Sequence, residues 1–360
     1  MIDFIRNFFD DFIRFHRWGN GKLLSLTQGL TDEACDASAP LGPGSLRATL
    51  VHLVGAQRIW LDRWQGRASG PFPTGDGWTI SRIGEEVEAV DQELAEFVRN
   101  VPIDTFGRSI DYANLKGDRF QHRLSDLLLH VLNHAVHHRS QLLHFLKRQG
   151  RCLPGGLDYI FYKLAHPSIL QSTAVAEACR SYGIEIGSVV EKLLIPDIDL
   201  IQRYQGYGDW ALQRVLNEAQ WLSDEQLDRD WSMGQGSLRK TLLHLCDAEI
   251  WWQSNWQGQP IPFPKSPIET TLEVYSKNWR SMAAERTRLV TQIGQSGLEK
   301  VVTADFGSGP LQFRIVESMI QLCVHGTLHR AQANNMLRSL GRAVQPLDYV
   351  VYIRDAASAS

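Results

Sequence analysis

The sequence predicts an all-α protein built as two tandem four-helix bundles, and three observations carry that prediction. Apolar residues recur three or four positions apart through most of the chain, the chain repeats itself once, and the histidines common to both copies fall on two of the helices so defined. "SLRATLVHLVGAQRIWLDRWQG" from Ser45 aligns without a gap with "SLRKTLLHLCDAEIWWQSNWQG" from Ser237. "HAVHHRSQ" at His134 returns as "HGTLHRAQ" at His325, "LDYIFY" at Leu157 as "LDYVVY" at Leu347, and "LTDEACD" at Leu30 as "LSDEQLD" at Leu222. Each copy is a module of roughly 160 residues, an ordinary domain size. The expected division is 1–164 for the first bundle, 199–355 for the second, and a structured helical linker over 165–198, bounded by Pro167 and Pro196 and without a counterpart after the second copy.

The elements follow in order within each copy. The first helix is placed near 3–28 and 199–221. Its opening "MIDFIRNFFDDFIRF" is apolar but interrupted by Asp3, Arg6, Asp10 and Asp11, which suits neither a signal peptide nor a membrane span. The second helix, near 45–66 and 237–258, starts at Ser45 and Ser237, whose hydroxyls can cap first-turn N–H groups, and stops at Gly66 and Gly258. A long proline-bearing connection through "GPFP" and "PIPFP" frees the third helix from returning antiparallel beside the second. That third helix, near 79–101 and 269–294, shows its stripe clearly: Ile80, Ile83, Val87, Val90, Leu94 and Phe97 form one face, with Glu85, Glu86, Glu88, Asp91 and Glu93 between them. Turn glycines in "SIDYANLKGDRFQHRL" and "VTADFGSGPLQFRIV" predict a small hairpin before the last helix, which lies near 123–149 and 314–340 and ends at Gly150 and Gly341.

Composition narrows the function. The chain has 360 residues, 43% hydrophobic and 21% charged, with 37 basic against 40 acidic side chains and a net charge of -3, which is ordinary globular material without the positive field that nucleic acid requires. The cysteines number 5 and include no C-x-x-C pair, which fits reduced thiols and a cytoplasmic setting.

The repeat sorts the histidines. His52, His134 and His138 recur as His244, His325 and His329, whereas His130, His137 and His144 are replaced by Gln321, Leu328 and Asn335. Residues four apart on a helix are separated by about 400° of rotation and about 6 Å of rise, so each His pair projects from one face. A third His from the facing helix completes three imidazoles on one ion with a fourth position open, the pattern of a catalytic zinc site. A lone buried His is more often a hydrogen-bonded core residue; retention of all three in both copies is what argues for a metal. Of the others, His137 and His144 read as surface and His130 as core or as a support behind the ligands. Asp126 and Glu317 read as supporting or solvated acids, and Trp60, Trp64, Trp252 and Trp256 as core. Tyr159 and Tyr349, with Asp158 and Asp348, read as packing or as proton-handling groups, and Arg139, Gln141, Arg330 and Gln332 as partners of ligands or acids.

With these motifs in place, "LRATLVHL" and "LRKTLLHL", followed by "NHAVHHRSQ" and "VHGTLHRAQ", give a chain that resembles the DinB-like (YfiT-like) metal-binding four-helix bundles over almost the whole of both copies. The resemblance implies a bundle with one crossover connection, a triad of His52, His134 and His138 repeated as His244, His325 and His329, and one divalent ion, zinc or nickel, per copy. It further implies thiol-dependent transfer with mycothiol, bacillithiol or glutathione, isomerase chemistry or hydrolysis, since members of these kinds occur in the family, and it implies pairing of the two copies as an intrachain dimer. The partners expected are a small-molecule substrate, with a low-molecular-weight thiol as one candidate, and neither nucleic acid nor membrane. Two functions stay open: a metal-dependent thiol S-transferase or hydrolase, and a non-catalytic metal-binding stress-response or interaction protein. Gln57, His130 and His137 point to the first copy as the one better supplied with proton-handling groups; Glu249 in the second is a weaker base candidate. Imidazole ligands must be deprotonated, so occupancy is expected to fall on acidification toward a pKa of about 6.5 or below.

Overall fold

Phe8, Phe12 and Phe15 recur along one side of the first helix and are almost wholly excluded from solvent. That stripe forms one wall of a bundle whose first helix, α1, runs Phe4–Thr27 in the computed structural model, which describes residues 4–68, 70–167, 198–306 and 309–359. The linker expected over 165–198 falls mostly outside the described residues. Two compact units are present: residues 1–153 with 346–360, and residues 154–345.

In the first unit α1 is followed by α2 (Asp32–Asp36), α3 (Leu46–Trp64), α4 (Ile80–Asn100), a 3-10 turn (Ile103–Gly107), the antiparallel hairpin of β1 (Ser109–Ala113) and β2 (Arg119–Arg123), and α5 (Leu124–Arg148). The helix α6 (Tyr159–Ala165) comes next in sequence. The second unit repeats the pattern with α7 (Ile198–Ala219), α8 (Asp224–Asp228), α9 (Leu238–Trp256), α10 (Leu272–Gly297), β3 (Val301–Asp305) paired with β4 (Pro310–Arg314), and α11 (Ile315–Ser339), before α12 (Tyr349–Ala359) closes the chain. In each bundle the first helix packs on the third and fourth, and the second on the same two. The protein is thus all-α apart from the two predicted hairpins.

Local chemistry explains the boundaries. Ser45 Oγ accepts from the Ala48 N–H at 3.1 Å and Ser237 Oγ from the Lys240 N–H at 3.2 Å, each satisfying an otherwise orphaned first-turn donor. The arginine two residues later fastens the preceding short helix: Arg47 Nε donates to Asp36 at 2.7 Å and Arg239 Nε to Asp228 at 2.7 Å. The "SLR" opening of each second helix is therefore a cap, a core residue and a clasp. In α10 the helical geometry breaks at Gly294, with φ 58 and ψ 177.

The short helices do not follow the sequence repeat. Although α6 follows the first bundle in sequence, it belongs to the second unit and packs on α11; α12 follows the second bundle but belongs to the first unit and packs on α5. In the first unit Val350 joins Trp60, Tyr112, Leu127 and Val131 in one apolar cluster. Tyr349 is fully buried, and its hydroxyl donates to Asp126 at 3.2 Å. Truncating a buried aromatic of this kind costs roughly 3–5 kcal/mol. Tyr349→Ala should lose about that much in urea unfolding, whereas Tyr349→Phe, which keeps the ring and forfeits one hydrogen bond, should lose about 1 kcal/mol. Equal losses for the two variants would mean that the ring contributes little.

Candidate metal centre

The helix period places His134 and His138 on successive turns of α5, with α3 bringing His52 against them. His134 Nε2 lies 3.1 Å from His52 Nε2 and 3.0 Å from His138 Nε2. In the second unit His244 on α9 faces His325 and His329 on α11, with ring centroids 4.9 and 4.8 Å away. In each triad every residue offers a nitrogen, and these all lie within 4.8 Å of one another. The structure thus brings together all six histidines singled out from the sequence, three in each unit.

Their geometry suits a cation. A neutral imidazole has one donor and one acceptor nitrogen, so three ring nitrogens converging on one point cannot satisfy one another by hydrogen bonds. Ligands about 2.0–2.1 Å from a tetrahedral ion stand roughly 3.3 Å apart, close to the separations around His134. His325 Nε2 is buried without a hydrogen-bond partner, as a nitrogen awaiting an ion would be. His52, His134 and His244 are half-buried, so solvent reaches part of each triad.

Burial sets the protonation state. It lowers the pKa of His52, and it drives those of His134 and His329 well below the usual 6.5, with the neighbouring imidazoles adding to the effect. His244 is lowered to about 4, chiefly by burial and then by His325. His52, His134, His244 and His329 therefore stay neutral, the form that coordinates, at pH values below the 6.5 expected from an unperturbed imidazole.

Outer contacts hold the rings. His138 Nδ1 faces Gln141 Oε1 at 2.7 Å, an acceptor that keeps the proton on Nδ1 and the Nε2 lone pair toward the triad. Gln141 reaches that position because residue 42 is glycine at φ 45: a Cβ there would stand 2.2 Å from Gln141 Oε1. Gly234, at φ 56, gives Gln332 the same room in the second unit. His325 Nδ1 lies 3.2 Å from Asp158 Oδ2. Asp348, the repeat counterpart of Asp158, makes no hydrogen bond to an imidazole among the described residues, and burial raises its carboxyl to about 6.

Several other candidates lie away from the triads' open side. His130 is buried, and its Nδ1 accepts from the Val350 N–H at 3.4 Å, as Gln321 Oε1 accepts from the Ile160 N–H at 2.7 Å in the other unit. Gln57 is buried beside His16. There Arg139, which can only donate, lies 2.9 Å from His16 Nδ1, so His16 Nε2 carries the proton and donates to Asp91 at 2.9 Å. Glu249 is locked by Arg286 at 3.0 Å and Gln253 at 2.7 Å in the second bundle's interior, which removes it as a base for the triad. Glu317 pairs with Lys163 at 3.1 Å, and Asp126 with Tyr349. Trp60, Trp252 and Trp256 are core; Trp64 is partly buried. His137 and His144 are half-buried rather than fully exposed.

Phe72 and Phe263 were not singled out from the sequence. They sit in the proline-bearing connections with ring centroids 5.4 Å from His52 and 5.7 Å from His244. Their signal was the P-F-P tripeptide common to both copies. Gly55 lets that loop lie close, since a Cβ there would meet Pro73 at 2.7 Å; in the second copy Asp247 stands instead and accepts from Ser266 Oγ at 2.6 Å. A separate cleft of about 510 Å³ beside Arg47, Val51, Gly75 and Trp78 is lined by none of the triad histidines, and Arg47 there is already committed to Asp32 and Asp36.

A family model for the DinB family matches residues 3–171 and 201–359. The chain belongs to the DinB family. Both copies of the repeat are covered, so this is a tandem member. It is similar to Protein DinB of Bacillus subtilis (strain 168), 24% identical over 154 residues, an alignment spanning 41% of this chain and 90% of that protein. No solved structure matches the chain significantly. Among the described residues, no helix is long and apolar enough to cross a membrane.

His130 gives a pH prediction for this DinB protein. Burial, reinforced by Arg354 and Arg63, lowers its pKa to about 3. Below pH 6.5 the unfolded chain takes up a proton that the folded chain refuses, so stability falls as pH drops from 6.5 toward 3. Asp348 acts oppositely between about 6 and its ordinary 3.8. His130→Gln supplies the acceptor used at Gln321 without the titration, so its thermal midpoint should decline less steeply between pH 6.5 and 4 than the parent's. Parallel curves would show that His130 is not buried in its neutral form.

Proposed function

We propose that the protein is a metal-dependent enzyme acting on a small molecule at two three-histidine centres, with His52, His134 and His138 as ligands in one and His244, His325 and His329 in the other. The observation that carries this reading is the convergence of three buried or half-buried imidazoles per unit with one side left open. Zinc or nickel suits the donor set, because imidazole nitrogens favour these ions over magnesium or calcium. Such an ion supplies Lewis acidity at an open position, where water or a thiol can be activated for attack.

The chain's own residues define the rest. Gln141 and Asp158 each hold an imidazole with its proton on Nδ1. Phe72 and Phe263 place an aromatic face beside the open side, which favours a substrate with an apolar or thioether-like portion and restricts water. Two of the base candidates are engaged elsewhere, Glu249 by Arg286 and Gln253 and His130 by the Val350 N–H. That favours a nucleophile that ionises readily, and so thiol S-transfer over hydrolysis. The second reading, a non-catalytic metal-binding or interaction protein in the cytoplasm, draws support from the deep burial of His138, His325 and His329, at 8%, 9% and 7% exposure.

Elemental analysis and a transferase screen decide between these. His52→Ala or His134→Ala should each remove one ion per chain, and His137→Ala none; loss of metal from the His137 variant would displace the assignment. With mycothiol, bacillithiol or glutathione and electrophilic acceptors, turnover should appear in the metal-loaded protein and vanish when all six histidines are replaced. Full metal content without turnover on any thiol or hydrolysable ester would favour the binding-protein reading.

A further inference from the structure

Asp158 occupies an unusual position. It is the N-cap residue of α6, where an aspartate ordinarily accepts a hydrogen bond from the first turn, yet its side chain makes no cap bond. Gln321 of α11 takes that task, its Oε1 accepting from the Ile160 N–H at 2.7 Å. Lys163, one turn further along α6, pairs with Glu317 at 3.1 Å. Two contacts from α11 thus fix the short helix and leave the Asp158 carboxylate to meet His325 Nδ1 at 3.2 Å, with Asp158 20% and His325 11% exposed in their side chains.

We infer that Asp158 is the positioning carboxylate of the second metal centre, supplied to it by the first copy of the repeat. The inference rests on the reading of His244, His325 and His329 as metal ligands. A carboxylate accepting from Nδ1–H fixes the tautomer that presents the Nε2 lone pair, holds the ring's orientation and increases the donor strength of that nitrogen. His325 Nε2, like His329 Nδ1, is buried and unpartnered, and the hydrogen bond on the other side of the His325 ring is placed to prepare it. The first centre is built differently at this point, with the neutral amide oxygen of Gln141 facing His138 Nδ1 at 2.7 Å. The two centres of one chain are therefore chemically unequal, and each copy of the sequence alone lacks part of what the second centre uses.

The test uses the full chain carrying His134→Ala, so that the second triad alone reports. Zinc affinity is measured by competition with a chromophoric chelator for this parent and for added Asp158→Ala, Asp158→Asn and His325→Ala. Asp158→Ala should weaken binding by about 10- to 100-fold. Asp158→Asn, whose amide oxygen still accepts from Nδ1–H, should recover part of that loss. In the metal-free protein, nitrogen-15 spectra should show a single His325 tautomer in the parent, a mixture in Asp158→Ala and a single tautomer again in Asp158→Asn, a pattern that a purely structural role would not produce. Zinc affinity and tautomer unchanged in both Asp158 variants, with binding abolished by His325→Ala, would overturn the inference while sparing the triad. Binding retained in His325→Ala would overturn the triad reading, and the inference with it.

Discussion

Three imidazoles in each unit point their nitrogens at one another from two helices, in surroundings that exclude most water. Without an ion this arrangement would be unfavourable: the lone pairs repel, two ring nitrogens of the second triad, His325 Nε2 and His329 Nδ1, are buried without a partner, and protonation of His134 and His329 is opposed by burial and by the neighbouring rings. With an ion the same features become assets, because neutral, preoriented rings are what a divalent cation needs. Much of the fold follows from holding that geometry. The crossover connection sets the second helix against the fourth, the hairpin leads directly into the fourth helix, and glycines at 42 and 234 let a glutamine reach in behind a ligand.

Beneath the triads the two bundles solve the same packing problem with different chemistry. The first uses His16, Asp91, Asn20 and Arg139; the second uses Asp209, Glu249, Gln253 and Arg286. Breaking one partner of such a buried network leaves the others unsatisfied, so each set is constrained as a group rather than residue by residue. The close passage at Gly19 belongs to the first set, since a Cβ there would crowd Arg139, and Gly326 leaves the same room for Arg330 in the second bundle. Divergence was therefore free to rebuild the floor of each bundle while the three ligands stayed in place above it.

The sequence was most informative where chemistry repeats. Caps at Ser45 and Ser237, terminating glycines and 3.6-residue periodicity placed the long helices to within a few residues, and comparison of the copies separated His134 and His138 from His137 and His144. Contacts made by unlike partners stayed hidden. His16 and Asp91 are 75 positions apart, and the other copy has no matching pair to draw attention to them. Asp158 was visible as part of a repeated L-D-Y motif, but periodicity cannot say that α6 joins the second unit rather than the bundle it follows. That assignment depends on a side chain of α11 capping a distant helix, a tertiary choice with no local signature. Phe72 and Phe263 were obscured for a related reason: prolines mark a loop, but they do not tell which helix it covers.

Three imidazoles and an open position define each proposed centre, and X-ray absorption at the zinc edge of the fully loaded protein tests this most directly. The spectrum should show imidazole multiple scattering from three nitrogen ligands at about 2.0–2.1 Å and one further exchangeable light atom, with no protein sulfur, and a low-molecular-weight thiol should introduce a sulfur neighbour at about 2.3 Å. A fourth protein ligand closing the site, or fewer than three imidazoles on the ion, would contradict it.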